Sequence, residues 1–258
     1  MICGQGIWIW QIARCAHGDL ERLIDAAREM PFDHVLVKCV DGTRAYAPNV
    51  QSNAYLCSRL HECGRQVIGW GFHYGRDPEA EAEAAVRSCL DLGHSLYVCN
   101  AEGEFERPDG AERARQFVEA FTEYAAGRVR LGLSTFALPS LHPCFPYAAF
   151  LDDPICDVVM PQVYTVPSRR RPYLERLETY ARRAKDELGV FGKPVIPTLR
   201  AYTGDGVFSW DDIVADARSF ANSEVGRTLR AWNWWSWQSA ERCQAIWRLL
   251  EASRHVRA

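Results

Sequence analysis

The sequence predicts a single (β/α)8 TIM barrel, and three observations carry the prediction. Apolar runs of strand length alternate eight times with segments of helical period. The runs are almost continuously apolar, as parallel strands covered on both faces should be. The chain has 258 residues, close to the ~250 of this architecture and long for one β-sandwich. No composition break marks a second domain, so residues 1–258 read as one unit. A doubly wound open sheet is the main rival. It calls for a glycine-rich phosphate loop after the first strand, and "QIARCAHGD" has none.

The elements follow in order. "GIWIWQI" (6–12) precedes "DLERLIDAAREM" (19–30), where Leu20, Leu23, Ile24 and Ala27 form one apolar stripe and Asp19 suits the N-cap. "HVLVKCV" (34–40) precedes a helix around 50–63. "QVIGWGFHY" (66–74) precedes "PEAEAEAAVRSCLDLG" (78–93), with Pro78 in the first turn after Asp77. "SLYVCNAE" (95–102) precedes "AERARQFVEAFTEYA" (111–125), and "VRLGLSTF" (129–136) precedes a Pro-broken stretch around 146–151. "DVVMPQVY" (157–164) leads into 173–188, "PVIPTLRAY" (194–202) into 210–221, and "LRAWNWWSW" (229–237) into 240–252.

Composition narrows the function classes. A net charge of -3 offers no global attraction to nucleic acid, and none is expected as a partner. No apolar run approaches the ~20 residues of a membrane span. No basic leader precedes the first strand run, so synthesis in the cytoplasm without a signal peptide is expected. The ten cysteines form no C-x-x-C pair and show no His/Cys zinc spacing; they read as small buried thiols. No cofactor and no metal are expected.

In such barrels the reactive groups stand at the carboxyl ends of the strands. That rule selects Gln11, Lys38, Asp41, His73, Tyr74, Asn100, Glu102, Glu104, Ser134, Thr135, Gln162, Tyr164, Arg200, Tyr202, Trp235 and Trp237. Side chains alternate along a strand, so Asn100, Glu102 and, if the strand continues, Glu104 share one face. A carboxylic acid in a semi-enclosed site keeps its proton to higher pH and can give it to a leaving oxygen. Glu102 is the expected acid; Glu106, next to Arg107 and Pro108, reads as a solvated loop residue. Nine tryptophans suit stacking against sugar rings, with Trp235 and Trp237 the best placed and about half of the set read as core. Lys38, in an apolar strand, calls for an acidic partner, Asp41 or a fourth-strand glutamate. "SRRR" (168–171) reads as a solvated loop that could meet an anionic polymer, and "TGDGVFSW" (203–210) is a faint anion-site candidate.

These segments carry a family likeness. "HVLVKCVDG", "IGWGFHYGRDPEAEAEAAV" and "YVCNAEGEFE" resemble the second, third and fourth strands of the family-25 lysozyme-like glycoside hydrolases; "MPQVY" and the Trp-rich last strand fit more loosely. The resemblance implies a barrel that cleaves a bacterial cell-wall glycan, often for a phage, with virion-associated delivery to the wall. It implies Glu102 as proton donor and Lys38, Asp41 and His73 as site lining. Tyr74, Gln162, Tyr164, Arg200, Trp235 and Trp237 join them as expected substrate contacts, with Asn100 and Glu104 beside the acid. Two departures stand out. Trp8 occupies the place of a first-strand acid, and the D-x-E of the fourth strand is Asn100-x-Glu102. The expected function is therefore a glycosidase on an N-acetyl-sugar polymer such as peptidoglycan. The alternative is a silent, glycan-binding barrel serving a phage or a cell surface.

Overall fold

The structure, a computed structural model, describes residues 1–46, 54–164, 176–203, 208–242 and 247. Eight parallel strands close into a barrel: β1 (Gly4–Ile9), β2 (His34–Asp41), β4 (Gln66–His73), β5 (Leu96–Ala101), β6 (Arg130–Phe136), β7 (Cys156–Val163), β8 (Thr198–Arg200) and β9 (Ala231–Trp235). Each pairs with the next, and β1 closes the ring by pairing with both β2 and β9. A two-residue strand, β3 (Arg44–Ala45), hairpins back antiparallel on the end of β2.

Helices cover the outside: α1 (Leu20–Glu29), α2 (Ala54–Glu62), α3 (Pro78–Leu92), α4 (Gly110–Ala125), α5 (Tyr147–Leu151), α6 (Leu177–Gly189), α7 (Trp210–Asn222), α8 (Glu224–Thr228) and α9 (Trp237–Ala240). Their starts follow local chemistry. Asp19 accepts from the amides of Glu21 and Arg22, and Asp77 caps α3 through the amide of Ala80 with proline at its first turn. Ser209 and Asp212 form a reciprocal capping box on α7. The seventh strand is shorter than its apolar run: only Thr198–Arg200 ladders fully, with Val195 joined to Val159 by an isolated bridge. Prolines at 194 and 197 remove two ladder donors there.

Alternation sorts each strand into an inner and an outer set. Inside, Ile2, Trp8, Leu36, Ile68, Trp70, Val98, Met160 and Ile196 fill the bore. Outside, β1, β2, β8 and β9 pack on α1, α2 and α7, while β5 and β6 pack on α3, α4 and α5. A buried polar pair crosses the bore, His34 Nε2 to Asn233 Oδ1 at 2.6 Å. Gly6 makes room for it: a Cβ there would stand 2.0 Å from His34 Nε2. The bore is thus a packed core with a cavity at each end, one at the strands' amino ends beside Ile2, Leu96 and Ile196 and one at the carboxyl ends, where barrel enzymes carry their reactive groups.

Candidate active site

A cavity of about 220 Å3 opens at that end, lined by Trp8, Asn100, Glu102, Ser134, Gln162, Tyr164 and Trp235. Seven residues from β1, β5, β6, β7 and β9 or the residues just beyond them meet there because alternation aims each inward. Asn100 is buried and Glu102 half-buried. Asn100 Nδ2 donates to Glu102 Oε1 at 3.0 Å, and Gln162 Nε2 donates to the same oxygen at 2.8 Å. Gln162 Nε2 also lies 3.0 Å from Asn100 Oδ1. One oxygen of Glu102 is therefore fixed by two amides, and Oε2 has no hydrogen-bond partner among the described residues. Beside it, burial first, and then the Tyr202 and Glu102 neighbours, push the Tyr164 phenol well above its ordinary pKa. Tyr164 is thus a neutral hydroxyl next to the acid.

The cavity wall is aromatic. Trp8, Trp70 and Trp235 pack edge to face, with ring centres 5.1 to 5.8 Å apart. Lys38 lies behind this wall. Its Nζ meets Asp41 Oδ2 at 3.0 Å and stands 4.1 Å from the Tyr46 ring centre. Asp41 Oδ1 takes the Tyr74 hydroxyl at 2.9 Å, an acceptor that raises the Tyr74 pKa above its ordinary value. Lys38, Asp41 and Tyr74 form a second polar cluster over β2 and β4, next to the Glu102 cavity rather than lining it.

Four expected site residues stand elsewhere. Strand β5 ends at Ala101, and Gly103–Phe105 is a 3-10 turn, so the alternation that would aim Glu104 inward stops. His73 faces the outer shell and is fully buried: it bonds Tyr97 Oη at 2.7 Å and Glu81 Oε2 at 3.1 Å, and packs on Phe117 of α4. Arg200 turns to α7, where it pairs with Asp216 at 2.5 Å and lies over Phe208. Trp237 begins α9 and is core, packed between Phe32 and Trp247 with its Nε1 on Glu241 at 2.6 Å. Residues 168–171 and half of the faint anion motif, 204–207, lie outside the described residues.

Trp8 was marked in the sequence only for standing where the resemblance implies an acid, not as a cavity residue; its inward parity with Trp10 was the available signal. Tyr46 was missed, since the β2–β3 hairpin that carries it has no apolar run. Glu106 was read as solvated, yet it meets His142 Nδ1 at 2.9 Å, and the His142 ring stacks on Phe136. Among the described residues no group of three or more His, Cys, Asp or Glu is arranged to hold a metal ion.

No protein-family model and no curated protein sequence matches the chain. Solved structures do. A thermostable chitinase domain from Pyrococcus furiosus, studied with chito-oligosaccharides, aligns over 98% of this chain and 96% of that one at 10% identity, TM-score 0.63. The spore cortex-lytic enzyme SleL of Bacillus cereus aligns over 96% of this chain and 73% of that one at 9% identity, TM-score 0.61. A family 39 glycoside hydrolase from Bacteroides cellulosilyticus WH2 aligns over 90% of this chain at 11% identity, TM-score 0.58, and this chain spans only 56% of its length. At such identities the likeness establishes the architecture: the chain is a (β/α)8 barrel of the kind these glycoside hydrolases are built on.

Proposed function

We propose that this chain is a glycoside hydrolase acting on an N-acetyl-sugar polymer such as peptidoglycan, with Glu102 as general acid. The observation that carries the reading is the one-sided anchoring of Glu102. Two amide donors hold Oε1, which leaves Oε2 to carry a proton toward a glycosidic oxygen. The indole wall supplies an apolar surface for a sugar ring.

Glu102 is the one carboxylate among the residues that line the cavity. A second carboxylate nucleophile is thus missing there, and a substrate-assisted route fits instead. The proton passes from Oε2 to the leaving oxygen as the C1–O bond breaks. The substrate's own 2-acetamido oxygen forms the new bond to C1. Water then attacks C1, the acetamido bond opens, and the carboxylate of Glu102 takes the water's proton, so the acid is restored. In this reading the Tyr164 hydroxyl and the second Nδ2 hydrogen of Asn100 hold the acetamido group, while Gln162 keeps its Nε2 on Glu102 and Asn100. This route requires a polymer of N-acetyl sugars. The spore cortex-lytic and chitinase neighbours support the same substrate class by their names alone. Delivery to a cell wall by a phage is part of this proposal.

The test is release of reducing ends from peptidoglycan and from chito-oligosaccharides by the wild type and by Glu102→Gln. The reading requires turnover by the wild type and its loss in the variant. Wild-type turnover that survives Glu102→Gln sinks the assignment. Asn100 and Trp8, standing where the resemblance implies acids, favour a second reading, a barrel that holds glycan without cutting it. Binding with no turnover by the wild type would establish that one.

A further inference from the structure

A second cavity, about 260 Å3, lies beside the first and shares Trp235 with it. It is lined by Trp10, Arg14, Tyr202, Trp235, Ser236 and Gln238, with Ser239 and Arg242. All lie at or just beyond the carboxyl ends of β1, β8 and β9, so both cavities open on the same face. Trp10 stacks on Trp235 with ring centres 6.4 Å apart and planes 27° apart, and the residue is 37% exposed. An aromatic ledge therefore runs from the Glu102 cavity into the second one.

The charge of this second cavity differs from that of the first. Its two ionisable side chains besides the Tyr202 phenol are Arg14 and Arg242, and neither has an ion-pair partner among the described residues. The neighbouring acid Glu241 is committed elsewhere: it accepts from the amide of Ala16 and from Trp237 Nε1. Gln238 Oε1 accepts from the amide of Gln11, which holds the Arg14 turn against α9. Two exposed guanidiniums beside an indole stack are a poor surface for a neutral sugar alone. They suit a ring that is apolar on one face and carries a carboxylate at its edge, because guanidinium forks pair with carboxylates in two parallel bonds.

We infer that this second cavity is a subsite for a carboxylate-bearing sugar next to the N-acetyl sugar in the Glu102 cavity, with Arg14 and Arg242 reading the carboxylate. The inference rests on the glycan reading above and makes it more specific: the polymer is acidic, with an anionic residue at the neighbouring position. The carboxylate has two chemical sources, a lactyl ether on an amino sugar or a uronic acid ring.

Calorimetric titration tests this without turnover. The probes are chitotetraose, a GlcNAc–MurNAc tetrasaccharide and a hyaluronan tetrasaccharide. The proteins are the wild type and the double variant Arg14→Gln, Arg242→Gln, both checked for an unchanged melting temperature. The wild type should bind one acidic probe about tenfold more tightly than chitotetraose at low salt, with the preference shrinking as salt rises. The double variant should bind the acidic probe and chitotetraose alike, and chitotetraose as the wild type does. Whichever acid is preferred names the source. A preference that survives in the double variant, or no preference in the wild type, overturns the subsite while leaving the Glu102 cavity standing. Failure of all three probes to bind removes the glycan reading itself and this one with it.

Discussion

Two glutamates near adjacent strand ends are held in opposite ways. Glu81 of α3 commits both oxygens to the protein. Oε2 meets His73 Nδ1 at 3.1 Å and accepts from the amides of Tyr74 and Gly75, while Oε1 accepts from the amide of Arg76 at 2.9 Å. Glu102, beyond β5, commits one oxygen and leaves the other at the cavity. Nearness to a strand's carboxyl end does not separate the two, but their N–H donors do: Glu81 takes donors on both oxygens, Glu102 two donors on one. What separates them is acceptor capacity left over for a ligand. Glu81 ties down the loop after β4; Glu102 is oriented and still free to react.

The largest expected effects come from making the same change at both. Glu102→Gln should lower glycan turnover by about 10²–10⁴, the usual worth of a general acid, with an unchanged urea midpoint. Glu81→Gln should lower folding stability by about 3 kcal/mol, because an amide group replaces an oxygen that buried donors need. Turnover per folded molecule should stay near the wild-type value. The acid limb of stability sharpens this contrast. Burial pushes the Glu81 pKa up, but the bonds from His73 and the Arg76 and Gly75 amides outweigh it and hold the carboxyl below its ordinary 4.5. Folding thus lowers the pKa. The stabilisation is complete above the unfolded value and drains away as pH falls through the folded one. Urea melts across this range should show a steeper acid loss for the wild type than for Glu81→Gln. Equal slopes would remove Glu81 from that role.

A second pair, Trp235 and Trp237, divides the same way two residues apart. Trp237→Ala should cost about 3–5 kcal/mol, as for other large core residues, and is read by chemical denaturation. Trp235→Ala should weaken chitotetraose binding about tenfold, within the ~1–3 kcal/mol of one well-placed aromatic contact, with a smaller loss of stability. If the two variants exchange these outcomes, the cleft has been placed on the wrong tryptophan.

These pairs also mark what the sequence made legible. Eight apolar runs at barrel spacing gave the architecture, because buried parallel strands must be apolar on both faces. Inward parity along "LYVCNAE" placed Asn100 and Glu102 together correctly, since a regular strand alternates without exception until it ends. The failures came where regularity ends. Glu104 lies past the last ladder residue, and no pattern announced the 3-10 turn. His73 was placed at the site because the strand ends beside it at Tyr74 and Gly75; the parity set by Trp70, whose side chain points inward, sends residue 73 outward, into the core role that was its other reading. Trp237 follows β9, and its direction depends on α9, a four-residue helix with almost no periodic signal. Arg200 leaves for Asp216, a partner sixteen positions on that only the packed helix brings near.

The smallest expected effect bears most directly on whether the barrel cuts or only holds glycan. Asn100→Asp restores the acid that the family likeness implies. In this site it removes the Nδ2–H that orients Glu102, since a carboxylate only accepts. It also sets two carboxylates on one strand face with Gln162 as their shared donor. Turnover should fall about tenfold, or ~1.4 kcal/mol, with stability nearly unchanged. Michaelis–Menten kinetics on chito-oligosaccharides read it directly. A fall of that size makes the amide part of a working acid, the donor that leaves Oε2 free. A rise would mean that the missing charge, not the present donor, governs the site. The glycan-holding reading would then gain what the hydrolase reading lost.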